Sequence, residues 1–153
     1  MNKPILALGL ACCLTSCLSV VPYTSMQAYE GASLPLQEVA RVVPLLQGNA
    51  GGRLNLYTVD GKNIKNPKTG LPPSEVQLLP GKHSIGGAVH YSGCSSAMTV
   101  DLDAKKGSVY YLSFLNEQYN SPTLLVKEEN GGRVSELSRK TLDTVCTTIY
   151  LKI

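Results

Sequence analysis

Two histidines, one closely spaced pair of aspartates and five cysteines are the side chains of this 153-residue chain from which chemistry could be built. His83 and His90 fall seven residues apart in one expected strand. Successive strand residues face opposite ways, so this odd spacing puts the two rings on opposite faces, and a shared metal would need a bulge between them. His83 shares parity with Ile85 and is expected half-buried; His90 shares parity with Ser84 and Ala88 and is expected to face solvent. Asp101 and Asp103 do point the same way. Such a pair could hold calcium or do acid–base work, but the polar face of a half-buried strand calls for residues of this kind in any case. Gly93-Cys94-Ser95-Ser96 sets hydroxyls in a turn with no base beside them. No Gly-x-Ser-x-Gly, His-Glu-x-x-His, Gly-x-x-x-x-Gly-Lys or Ser-x-x-Lys motif occurs. The expectation is a non-enzymatic protein with no catalytic residues, no metal site and no cofactor.

Two surface features remain. Lys62, Lys65 and Lys68 occupy the 62–73 loop with no acid among them. They make it a candidate binding loop for lipopolysaccharide phosphate, an anionic glycan or an acidic partner, set against the plain reading of a solvated basic loop. Tyr110, Tyr111 and Tyr119 lie close in sequence, and tyrosine favours interfaces. Because Tyr110 and Tyr111 are adjacent in a strand, one of them must face outward.

The elements that carry these residues follow from composition and periodicity. Hydrophobic residues make up 43% and charged residues 16%, the latter low against a usual share of roughly 25%. With 14 Gly, 9 Pro and 8 Tyr, this argues against disorder and against a long-helix protein. Lys and Arg total 14 against 11 acids, a net charge of +3 that is too weak for a nucleic-acid binder. Without Trp and with a single Phe, the chain has no aromatic stacking platform for bases. The length suits one domain. Leu36, Val39, Ala40 and Val43 recur at helical spacing between Pro35, tolerated in a first turn, and the stop signal Pro44, which predicts a short helix over 34–43. Beyond Gly51 the chain reads as strands and turns. Met98, Val100 and Leu102 alternate with Thr99, Asp101 and Asp103 as a half-buried strand. The run 109–115 is apolar on both faces and is expected to be a central strand. Asn130-Gly131-Gly132 marks a hairpin. The expected fold is mainly β, an antiparallel β-sandwich of about 7–8 strands with one short N-terminal helix.

The first residues differ from the rest. Lys3 precedes an apolar run from Ile5 to Leu14, about half the length that a membrane-spanning helix needs, as in a secretory signal peptide. The run ends in Leu14-Thr15-Ser16-Cys17, which resembles the bacterial lipobox. That resemblance implies cleavage before Cys17, lipid on its thiol and acylation of its new amine. Two or three acyl chains would hold the protein at a membrane. Leu18 stands where an Asp would retain an enteric lipoprotein at the inner membrane, so the resemblance implies the outer membrane of the bacterial envelope; its periplasmic face is expected ahead of the cell surface, which stays the alternative. The division that follows is a signal peptide over 1–16, a lipid-anchored tether over 17–33 and a single β-sandwich domain over 34–153. After cleavage, Cys94 and Cys146 remain beside the lipidated residue. An even pair in an oxidising compartment is expected to form a disulfide, with two buried free thiols or a chemical role as alternatives.

A second resemblance lies in the domain. Val59-Asp60-Gly61-Lys62, a loop with Gly70 and Pro73, and Val76-x-Leu78-Leu79-Pro80-Gly81-Lys82-His83-x-Ile85 followed by Tyr91 resemble a PEGA-type surface repeat of the prealbumin-like β-sandwiches. Tyr29-Glu30-Gly31, Leu34-Pro35 and Glu38-Val39-Ala40 resemble the opening of proteobacterial lipoproteins that carry such a domain and have no assigned activity. Neither resemblance supplies a catalytic residue. Tether, expected disulfide, β-rich composition and missing catalytic motifs agree on a binding or structural module anchored in the membrane through Cys17, with an envelope protein or glycan as partner and no nucleic acid. The alternatives are a periplasmic protein inhibitor or immunity lipoprotein and, behind it, a small envelope hydrolase.

Overall fold

The computed structural model describes residues 23–45, 52–66, 69–115 and 122–146. They form β1 (Ser25–Gln27), β2 (Ala40–Pro44), β3 (Arg53–Val59), β4 (Lys62–Asn63), β5 (Glu75–Leu78) and β6 (Gly81–Tyr91). After these come β7 (Cys94–Ala104), β8 (Val109–Leu115), β9 (Thr123–Asn130), β10 (Arg133–Thr141) and β11 (Val145–Cys146). Six strands make one sheet in the order β1-β5-β2-β8-β9-β10, and five make the other in the order β11-β7-β6-β3-β4.

The strand alternation expected at 98–103 is present. Met98, Val100 and Leu102 are buried, while Thr99, Asp101 and Asp103 are exposed. β6 and β7 pair without a register break from Gly81↔Ala104 to Tyr91↔Cys94. Ser92 and Gly93, the two residues of the turn between them, both have positive φ, and so do Asp60-Gly61 and Gly131-Gly132 in the other hairpins. Such two-residue turns match the twist of the strands they join. β8 lies between β2 and β9, the central position expected of a run apolar on both faces. One hydrophobic cluster takes side chains from both sheets, including Val42, Val76, Tyr110 and Leu112 from the larger and Leu56, Ile85, Val89 and Leu102 from the smaller. The Tyr91 and Phe114 rings meet across the sheets with centroids 6.4 Å apart.

Two expectations are corrected. No helix forms over 34–43: a turn closed by Glu38 N–H on Pro35 O at 2.9 Å leads directly into β2. The reason is burial between two neighbours. β2 pairs with β5 on one side and with β8 on the other, which sends Ala40 and Val42 into the core and Arg41 and Val43 outward. Period two then replaces the helical spacing, and the β-branched valines suit it. The second correction is to the sheet plan. There are eleven strands among the described residues rather than seven or eight, and the larger sheet is mixed, because β1 runs parallel to β5 and β2 parallel to β8. A parallel neighbour requires a crossover, and the chain between β2 and β8 supplies it by building most of the other sheet. β1 falls inside the 17–33 stretch read as a tether.

Replacing Leu102, 6% exposed, by Ala is expected to cost about 2–5 kcal/mol through lost transfer energy and the cavity left behind. Replacing the adjacent Asp101 by Asn is expected to change stability by no more than about 0.5 kcal/mol. Denaturant midpoints of the two variants check the split, and equal effects would mean that the alternation is misassigned.

Candidate functional site

At one end of β6, the Asp60-Gly61 turn and the β5–β6 corner bring a histidine and a carboxylate together. His83 Nδ1 lies 2.7 Å from Asp60 Oδ2, and its Nε2 lies 2.8 Å from Leu79 O. Asp60 Oδ1 accepts the Ser84 N–H at 2.8 Å. That N–H, then the hydrogen bond and charge of His83, hold the Asp60 carboxyl below the usual carboxylate range. The pair lines a shallow depression of about 540 Å³ with Lys82, Ser84, Asp101 and Asp103. An acid–base histidine needs one ring nitrogen free to meet a substrate proton. Here the nitrogen that would do so faces a main-chain carbonyl, so the imidazole works as a brace tying the β3–β4 turn to the β5–β6 corner. His83 is part-buried on the core parity, as its register with Ile85 predicted.

His90 lies at the other end of β6. Its Nε2 is 3.1 Å from the Tyr57 hydroxyl, which also accepts the Asn55 amide at 3.3 Å. Lys65 Nζ stands 5.5 Å from the centroid of the same tyrosine ring, within cation–π range. The two histidines do not share a site. Of the lysine loop, Lys62 is on β4, Lys65 rests on Tyr57, and Lys68 is outside the described residues. Asp101 and Asp103 remain a solvated pair on the outer face of β7, and no group of three metal-ligating residues occurs among the described residues. Tyr110 points inward and is 1% exposed, whereas Tyr111 points outward and donates to Glu129 at 2.7 Å. Cys94 and Cys146 are bonded, as cross-strand partners with Cα atoms 4.0 Å apart. Cys17 and Tyr119 lie outside the described residues.

Two buried carboxylates were not singled out from the sequence. Glu75, 4% exposed, accepts from the Tyr23 hydroxyl at 2.6 Å and from Ser25 at 3.0 Å, with Arg41 and Gln77 each at 3.5 Å. Glu128, 6% exposed, accepts from Lys105 and Ser108 at 3.0 Å and from Tyr110 at 3.1 Å. Burial pushes each carboxyl up, but these donors outweigh it and hold both below the ordinary value. Burial and the bond to Glu75 push the Tyr23 phenol up to about 12. Glu128 did carry a signal: it continues the inward parity of Leu124 and Val126. A buried acid at such a position must find donors.

Two outcomes follow. His83→Ala removes two of the influences that depress Asp60 and leaves the Ser84 N–H, so the Asp60 carboxyl is expected to titrate closer to, but still below, its ordinary 3.8. Carbon-detected NMR titration reads this, and an unchanged value would remove the brace. Glu75 and Glu128 have depressed folded values, so their stabilisation is complete above the ordinary 4.5 and is lost as pH falls through the folded values. Replacing both by Gln is expected to flatten the loss of stability below that pH. An unaltered acid-unfolding curve would contradict it.

Comparison of the chain with protein-family models, with curated proteins and with solved structures found no match.

Proposed function

We propose that this chain is a lipid-anchored protein of the bacterial envelope. In this reading its β-sandwich, of the PEGA-like and prealbumin-like kind, is a non-enzymatic binding module held at the periplasmic face of the outer membrane for an envelope protein or glycan. The observation that carries the reading is Leu14-Thr15-Ser16-Cys17 behind an apolar run. Three features support it. The Cys94–Cys146 disulfide suits an oxidising compartment. Five residues separate Cys17 from Tyr23, where the described domain begins, and the six steps reach at most about 21 Å, so an anchor at Cys17 would hold the domain against its membrane. The histidine that stands beside a carboxylate has both ring nitrogens engaged by the fold, which favours a structural over a catalytic use of the pair.

The test is metabolic labelling with a fatty-acid probe, followed by membrane fractionation. The native chain is expected to carry label and to sediment with outer membranes, and Cys17→Ala is expected to lose both. An unlabelled native chain, or a labelled variant, would overturn the anchoring.

A further inference from the structure

The two sheets part at the edge where β1 and β4 lie. Between them runs a cleft of about 490 Å³ whose apolar walls are Met26, Ala28, Val59, Ile64 and Leu79. Val59 and Ile64 belong to the buried core, whereas Leu79 is 40% exposed, so the apolar surface runs from solvent to the interior. One wall is held by specific bonds. Gln27 Nε2 donates to Tyr29 O at 2.9 Å and to Gly31 O at 3.0 Å, and the Tyr29 hydroxyl accepts the Leu34 N–H at 3.2 Å. The cleft is therefore a built feature of the β1 edge.

Two observations say what fits it. The apolar walls suit a hydrocarbon chain, since each methylene taken out of water favours binding. Lys62 lines the same cleft and makes no ion pair among the described residues; its positive charge is felt at Asp60, and Glu30 is the one acid on the lining. A cation beside a hydrocarbon slot complements an acyl chain with a phosphate at its head. The position of the cleft is the second observation: it lies against β1, the first strand after Tyr23, and Tyr23 is six residues from Cys17. We infer that this cleft binds one acyl chain of an anionic phospholipid of the membrane, with Lys62 meeting the phosphate. The choice of a membrane lipid as occupant rests on the anchoring at Cys17; the cleft itself does not.

The test uses a short-chain anionic phospholipid, dihexanoylphosphatidylglycerol, and its zwitterionic counterpart, dihexanoylphosphatidylcholine, both kept monomeric and titrated into the full chain while methyl resonances are followed by NMR. The Met26, Ile64 and Leu79 methyls are expected to shift saturably, at lower concentration with the anionic lipid. Lys62→Glu is expected to weaken the anionic lipid at least fivefold and to leave the zwitterionic one nearly unchanged. Leu79→Asp, at a position 40% exposed, is expected to abolish both. Unmoved cleft methyls, shifts of equal size at the remote Val134 and Leu137, or identical affinities for the two lipids would overturn the proposal. So would a lipidated protein whose cleft resonances already stand at the bound positions and ignore added lipid, because the occupant would then be its own acyl chain. Saturable binding in a chain that carries no lipid on Cys17 would keep the cleft and remove the anchor, so the two readings fail separately.

Discussion

A strand of three residues has few backbone hydrogen bonds with which to hold a place in a sheet, and β1 is such a strand. What fixes it is the Glu75 carboxylate. Tyr23 and Ser25, at the start of the chain's path into the sheet, both donate to Glu75 on β5, Arg41 of β2 reaches the oxygen that Tyr23 meets, and Gln77 reaches the one that Ser25 meets. A buried carboxylate without such partners would cost several kcal/mol. With them it becomes a node where β1, β5 and β2 meet. The exit of the N-terminal segment from the domain is set there, and with it the side of the molecule that an anchor would draw toward a membrane.

The same logic closes the far part of the larger sheet. Glu128 gathers Lys105 and Ser108, which flank the β7–β8 connection, and the buried Tyr110 hydroxyl, which also donates to Asp103 O at 3.3 Å. The network thus joins the end of β7 in one sheet to β8 and β9 in the other. The disulfide fastens β11 to β7 at the opposite end of that strand. Between these ties the core needs only apolar packing. At the β1–β4 edge the tie is the His83 brace on Asp60 and Leu79 O, and beside it the apolar interior stays open as a cleft.

The parts legible in the sequence are those governed by a local rule. Alternation at 98–103, the Asp60-Gly61 and Gly131-Gly132 turns at positive φ and the apolar run of β8 each declare themselves within a few residues, whereas Cys94, Ser95 and Ser96, expected in a turn, lie in β7 behind the Ser92-Gly93 turn. The cysteine pair followed from counting. What escaped depends on distant neighbours. Val39, Ala40 and Val43 fit a helix by spacing while Ala40 and Val42 fit a strand, and only β5 and β8 on either side decide for the strand. β1 is too short to show a period. The lysines were visible as a basic loop, but their separate uses were not: Lys65 stands over Tyr57, and Lys62 lies on the cleft. Nor could the sequence show that His83 spends both nitrogens on the fold, since one partner is a backbone carbonyl.

The central claim is the proposed lipid on Cys17, six positions before Tyr23 in the sequence. Its most direct test is the intact mass of the protein extracted from bacterial membranes, with fragmentation of its N-terminal peptide. The account predicts a chain that begins at Cys17, carries diacylglycerol on the thiol and an acyl group on the amine, and retains the Cys94–Cys146 bond. A chain that keeps its first residues, or begins at another position with an unmodified Cys17, would contradict it.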